Sequence, residues 1–260
     1  VINAGTYTVT VTGVGGCTAT SSQAVTINPN PTPAITGTFS VCQGSNATLN
    51  APAGMASYLW SNGNNTTTIS PGTAGTYTVT VTNSNGCTGS TSQAVSITTN
   101  PTPTITGVFN TCQGSTATLT APAGFQSYQW SNGATSASIT PAVAGTYTVT
   151  VTAAGGCTGT TSQAVAINPN PTPSITGTFS FCQGSNAILN APAGFTSYNW
   201  SNGSTSATVN TVNPGTYTVT VTNSNGCTGT ANQVVTLNPN PTPAITGTFA
   251  VCQGFNAALN

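Results

Sequence analysis

Between residues 75 and 82 apolar and hydroxyl side chains alternate strictly: Tyr77, Val79 and Val81 fall on one side, Thr76, Thr78, Thr80 and Thr82 on the other. A period of two with a single apolar face predicts a strand that is half buried. The same octet, GTYTVTVT, stands at 5–12, 145–152 and 215–222, a spacing of 70 residues without drift. Shorter β-rich runs surround it at 34–39, 47–51, 57–61, 66–70 and 92–98. Tyr58 and Trp60 share one face of their run, and Val95 and Ile97 point inward from theirs. Turns are expected at Gln43-Gly44-Ser45, at Pro52 to Gly54, at Pro71-Gly72 and at 83–86, and Asn62-Gly63 reads as a hairpin. Strands of this length separated by Gly, Asn and Pro in a module of 70 residues predict an all-β sandwich.

Other motifs keep the same period. Cys-Gln-Gly recurs at Cys42, Cys112, Cys182 and Cys252, and Gly-Cys at Cys17, Cys87, Cys157 and Cys227. SY-x-WSNG begins at Ser57, Ser127 and Ser197. NPNPTP at 28–33, 168–173 and 238–243, and TTNPTP at 98–103, form proline-rich joints. Prolines at alternate positions cannot support a ladder and favour an extended, semi-rigid connection. The expected domains are therefore three complete repeats at 31–100, 101–170 and 171–240. Residues 1–30 are expected to be the C-terminal part of one more repeat and 241–260 the N-terminal part of another. The stretch missing from a whole fourth repeat matches 51–70, so the sequence reads as an excerpt of a longer array. With strand length and joint together, each repeat should advance about 40 Å.

Composition narrows function sharply. The chain of 260 residues contains no Asp, Glu, Lys, Arg or His, where ordinary domains carry roughly 25% charged residues. General acid–base catalysis lacks its usual groups, and Ser, Thr and Cys have no base to activate them. Carboxylate sites for calcium or magnesium cannot be built, and no Cys-x-x-Cys pair suggests zinc. Nucleic acid and anionic lipid need Lys or Arg. No apolar run reaches the ~18 residues of a membrane span. The expectation is therefore no enzyme, no catalytic or metal site, no cofactor, no nucleic acid and no membrane insertion. Abundant Val, Ile and Thr argue for order. A net charge of zero favours association with other copies of the chain.

At AGTYTVTV, residues 74–81, the sequence resembles the E–F corner and F strand of immunoglobulin-like and PKD-like domains. Tyr77 falls at their tyrosine corner and Trp60 at their strand-C Trp. The whole unit, CQGSNATLNAPAG…SYLWSNG…GTYTVTVTNSNGC, resembles the Ig-like repeats of very large surface adhesins of Bacteroidetes-type bacteria, some linked to gliding and type IX secretion. The resemblance implies a tandem array of small immunoglobulin-like β-sandwiches at an extracellular or cell-surface location. It also implies a structural role in a shaft or filament, with any surface or polysaccharide ligand held by domains outside this sequence. The lack of acids departs from such repeats and excludes calcium-stiffened joints.

Eight cysteines without a metal motif point to disulfides and an oxidising compartment. Pairing within each repeat, Cys42–Cys87, Cys112–Cys157 and Cys182–Cys227, is the expected connectivity because small exported domains commonly close independently. In an immunoglobulin topology, however, those two positions sit at opposite ends of the domain, and Cys42–Cys157 with Cys112–Cys227 is the competing arrangement. A Cys42-Gln43 thioester has only adjacency in its favour. Trp60, Trp130 and Trp200, with Tyr77, Tyr147 and Tyr217, are expected to fill the cores; the alternative is a strip of indoles that binds sugar. The outward Thr row is similar to ice-binding surfaces but is only one row wide per repeat. Asn46, Asn64 and Asn65 lie in N-x-Ser/Thr sequons. Three functions follow: a spacer holding a binding tip away from the cell, a laterally packed filament, or a repeated glycan-binding module.

Overall fold

The computed structural model describes residues 3–247 and 250–256. The eight others include parts of both segments expected to belong to further repeats. The described residues form strands and turns without helix. The chain divides into two compact units. The first comprises 1–104, 122–136 and 148–161, and the second 105–121, 137–147 and 162–260.

In the first unit nine strands run from the N-terminus: β1 (Gly5–Thr12), β2 (Thr18–Val25), β3 (Thr36–Thr38), β4 (Ser40–Cys42), β5 (Thr48–Asn50), β6 (Ser57–Trp60), β7 (Thr68–Ile69), β8 (Gly75–Thr82) and β9 (Thr88–Thr98). Strands β3 to β9 make two sheets, ordered β3-β5-β7 and β4-β9-β8-β6. Leu49 and Ile69 from one sheet and Trp60, Val79, Val81 and Val95 from the other share one buried cluster. This is a β-sandwich whose four-stranded sheet carries the C-F-G order and whose three-stranded sheet carries the A-B-E order of the immunoglobulin fold. The second unit holds a matching pair of sheets drawn from residues 176–238, with a core of Leu189, Trp200, Val209, Val219, Val221 and Val235.

The alternation read from the sequence carries through to burial. Val79 and Val81 are fully buried, while their Thr neighbours face outward and bridge strands, as Thr78 Oγ1 and Ser92 Oγ do at 2.7 Å. The strand expected at 34–39 is confined to β3, and a further short strand, β4, follows at once. β3 pairs antiparallel with β5, whereas β4 crosses to the other sheet and runs parallel to β9. Gly37 lets β3 lie close on β5: its φ is +130°, and an added Cβ would lie 2.0 Å from the Thr48 carbonyl oxygen. A second difference concerns Asn62-Gly63. The turn forms, with Gly63 N–H donating to the Trp60 carbonyl at 2.9 Å. It does not close a hairpin, because β6 pairs with β8 and β7 with β5. Residues 64–67 carry the chain from one sheet to the other, so the turn signal was local and the pairing was decided by the core.

Candidate functional site: the stapled joint

The aromatic residues singled out by the sequence are structural in their surroundings. Trp60, Trp130 and Trp200 are 1–2% exposed. Their indole N–H groups donate to the carbonyls of Thr66, Ser136 and Ser206 at 2.8, 2.9 and 2.8 Å. A buried indole with its N–H satisfied anchors a core and offers no free face for stacking on sugar. The hydroxyl groups of Tyr77, Tyr147 and Tyr217 donate to the carbonyls of Thr73, Val143 and Asn213, each four residues upstream, at 3.2, 2.9 and 3.1 Å. These are tyrosine corners. Tyr217 is buried with the core and also bonds Thr211, whereas Tyr77 and Tyr147 are half-buried at the rim.

The cysteines do not pair within repeats. The bonds are Cys42–Cys157 and Cys112–Cys227, with Cα atoms 5.4 and 5.5 Å apart and 115 residues between partners in each case. Both bonds lie within a single compact unit, the first in unit one and the second in unit two. The expected Cys42–Cys87, Cys112–Cys157 and Cys182–Cys227 bridges fail for a geometric reason visible in β9. Cys42 stands opposite Thr98 at the end of that strand, and Cys87 immediately precedes its first residue, Thr88. An eleven-residue strand separates them, roughly 35 Å, whereas bonded cysteines need Cα atoms within about 7 Å. Cys17, Cys87, Cys182 and Cys252 remain thiols.

Each bond closes across a proline joint that is already held from both sides. At the joint 98–103, Gln43 N–H donates to the Thr98 carbonyl at 2.8 Å, and Asn100 Nδ2 returns a bond to the Gln43 carbonyl at 3.2 Å. These tie the joint to the Cys-Gln-Gly turn behind it. Ahead of it, Pro101 lies directly on Gly159, two residues beyond Cys157: a Cβ built there would meet the Pro101 carbonyl oxygen at 1.8 Å. The joint 168–173 repeats the arrangement. Gln113 N–H donates to the Asn168 carbonyl (2.8 Å), and Asn170 Nδ2 to the Gln113 carbonyl (3.0 Å). Asn223 Nδ2 donates to the Pro169 carbonyl (3.3 Å), and Pro171 lies on Gly229. Asn168 bonds Asn110 and the Thr111 carbonyl as well. Cys157 and Cys227 are buried beneath these contacts.

Sequence reading assigned the joint its prolines and overlooked the residues that hold it. The signal was present: Asn100, Asn170 and Asn240 recur at the third position of each joint, and Gly89, Gly159 and Gly229 recur two residues after the Gly-Cys cysteine. All six keep the period of the core motifs, although none is apolar. Chemically the arrangement has no group that exchanges protons and no cluster of metal-ligating side chains among the described residues; it fixes one segment of chain against another.

No family model and no curated protein matches the sequence. Among solved structures the chain is similar to the N-terminal eight Ig domains of Down Syndrome Cell Adhesion Molecule, with 17% identity and a TM-score of 0.42, over 91% of this chain and 40% of that one. It is also similar to a Ca2+-stabilized adhesin that helps an Antarctic bacterium bind ice (13% identity, TM-score 0.35, 90% of this chain and 82% of that one). A further similarity is to a 1.5-MDa bacterial ice-binding adhesin (12% identity, TM-score 0.35, 82% and 100%). The chain thus spans less than half the length of the first of these.

Proposed function

We propose that this chain is the structural repeat region of an extracellular bacterial surface adhesin or filament, a stiff shaft without charge. The observation that carries this reading is the joint. A linker that only connects domains is expected to be mobile; here it is hydrogen-bonded to the turn behind it, packed on a glycine ahead of it and spanned by a disulfide. Fixing the joint spends structure on geometry, which suits a spacer. The two disulfides support an oxidising compartment outside the cytoplasm in this reading. Its partners in this reading are other copies of itself, because uncharged Thr- and Asn-rich faces meet no electrostatic repulsion on lateral contact. Among the described residues no helix is long and apolar enough to cross a membrane.

Electron microscopy of the native material in aqueous buffer tests the proposal. Threads one domain wide, with beads spaced near the ~40 Å expected for a repeat, support the single-chain shaft. Thicker ordered fibres support lateral assembly. Separate globules on flexible tethers would overturn both.

The same composition sets the response to solution conditions. With no Asp, Glu or His in the chain, no such side chain gains or loses a proton differentially on unfolding between pH 3 and pH 8, so linkage predicts a flat stability profile. Salt has no ion pairs to screen. The melting temperature is expected to change by no more than a few degrees over that range; a shift of ten degrees in calorimetry would overturn the expectation by revealing a titrating group.

A further inference from the structure

Both bonds in the chain obey one rule. The Cys-Gln-Gly cysteine of a repeat joins the Gly-Cys cysteine of the repeat that follows, 115 residues on. Cys182 and Cys87 carry the two halves of that rule without a partner, and each half is already built.

Cys182 stands in the same setting as Cys42 and Cys112. Its strand, Ser180–Cys182, runs parallel to Thr228–Asn238 with Cys182 opposite Asn238, as Cys42 stands opposite Thr98 and Cys112 opposite Asn168. Its carbonyl accepts from Ser185 N–H at 2.9 Å, matching Cys42 with Ser45 at 3.0 Å and Cys112 with Ser115 at 2.9 Å. Asn240 Nδ2 donates to the Gln183 carbonyl at 3.3 Å, the bond that Asn100 and Asn170 make in the stapled joints. The Cys182 half of the joint therefore keeps its register, its turn and its asparagine bond without the disulfide, and the thiol is exposed.

Cys87 matches Cys227. Its N–H donates to Asn83 Oδ1 at 3.0 Å, as that of Cys227 does to Asn223 Oδ1 at 2.9 Å. Its Sγ lies 3.6 Å from the Asn28 carbonyl, and that of Cys227 lies 3.9 Å from the Asn168 carbonyl. Asn83 Nδ2 reaches the Pro29 carbonyl and Asn223 Nδ2 the Pro169 carbonyl, at 3.2 and 3.3 Å. Bonded and unbonded cysteines are thus held alike, so the geometry of the half-site does not depend on the bond being made.

We infer that Cys182 and Cys87 are the open halves of a repeating inter-repeat disulfide, and that the partner of each is a further repeat of this same kind: a Gly-Cys cysteine for Cys182 and a Cys-Gln-Gly cysteine for Cys87. In a longer array every repeat is then bonded to the one before it and the one after it, and the staples overlap along the whole shaft. Each bond forms when two thiols give up two protons and two electrons. A disulfide oxidant of the oxidising compartment accepts both electrons and protons and leaves as two thiols.

The test lengthens the chain by a second copy of residues 171–240 placed after Asn240, refolded in mixed reduced and oxidised glutathione. Alkylation in denaturant counts the thiols, and a non-reducing peptide map identifies the bonds. The expected map contains Cys42–Cys157, Cys112–Cys227 and a third bond from Cys182 to the Gly-Cys cysteine of the added copy. The number of alkylating thiols stays at the four of the original chain, although two cysteines have been added. Cys182→Ser in the lengthened chain should leave the added copy's Gly-Cys cysteine open to alkylation while the first two bonds persist. Two more alkylating thiols than the original chain has, or a bond closing inside the added copy, would overturn the inference. The shaft reading does not depend on this result, since it is judged by microscopy.

Discussion

A chain carrying Thr99→Lys and cut by trypsin after that residue should remain one molecule until it is reduced. The chain has no Lys or Arg of its own, so the substitution creates its single tryptic site, at an exposed position just beyond the end of β9. Cleavage there separates 1–99 from 100–260. The Cys42–Cys157 bond spans the cut, so a non-reducing gel should show one band at the uncut mass. With reductant, two fragments should replace it. Pairing within repeats gives the opposite result, because Cys42–Cys87 would lie wholly on one side of the cut and Cys112–Cys157 wholly on the other. The effect is all or none. Cys42→Ser in the same background should release both fragments without reductant, which assigns the retention to this bond. Fragments released from the cut parent in the absence of reductant would refute the connectivity.

Trp200→Ala is expected to unfold the sandwich of residues 176–238 selectively. The indole is buried among Leu189, Val209, Val219 and Val221, and removing a buried Trp typically costs about 3–5 kcal/mol. The Ser206 carbonyl also loses its donor. Small domains hold about 5–15 kcal/mol in total, so a substantial share of the margin of one repeat is lost. Hydrogen exchange by mass spectrometry should show residues 187–235 losing protection by a factor of a hundred or more. Peptides from 36–98 should exchange as in the parent, since their core surrounds Trp60. Trp200→Phe should recover part of the loss. A change in protection of less than a few fold in the Ala variant would mean that the indole does not anchor this core.

How far the sequence predicted these features depended on the kind of signal. Tyr77, Val79 and Val81 announced their strand and its inner face because burial follows a local period of two. The tyrosine corners and Trp anchors were likewise readable, each fixed by bonds to residues four or six positions away. The change of sheet between β3 and β4 was not, since β4 takes its place from a parallel pairing with the far end of β9, a contact no alternation encodes. Asn62-Gly63 misled for a related reason: a two-residue turn specifies its own geometry but not the sheet that receives the next strand. The disulfides were the clearest failure. Their spacing within a repeat is shorter than between repeats, and chain proximity favours the shorter loop. Strand direction decides otherwise, because β9 carries Cys87 and the Cys42 end of β4 at opposite extremes. Orientation of parallel and antiparallel strands is a property of the folded sheet, and the competing connectivity became compelling only with the β4–β9 register in view.

The overlap of the two loops closed by Cys42–Cys157 and Cys112–Cys227 has a mechanical result. Pull a conventional tandem array hard enough and each unfolded repeat of 70 residues lengthens to roughly 240 Å. In the stapled chain, load entering at Cys42 passes to Cys157, runs backward along the backbone to Cys112 and leaves through Cys227. The backward leg is the shorter route, and fully extended it measures only roughly 150 Å. The segment 112–157 therefore carries tension in the reverse of its sequence direction, and the segments on either side of it hang slack. Such a tether loses its folds before it loses its reach, and it stops stretching at a length set by bonds between sulfur atoms.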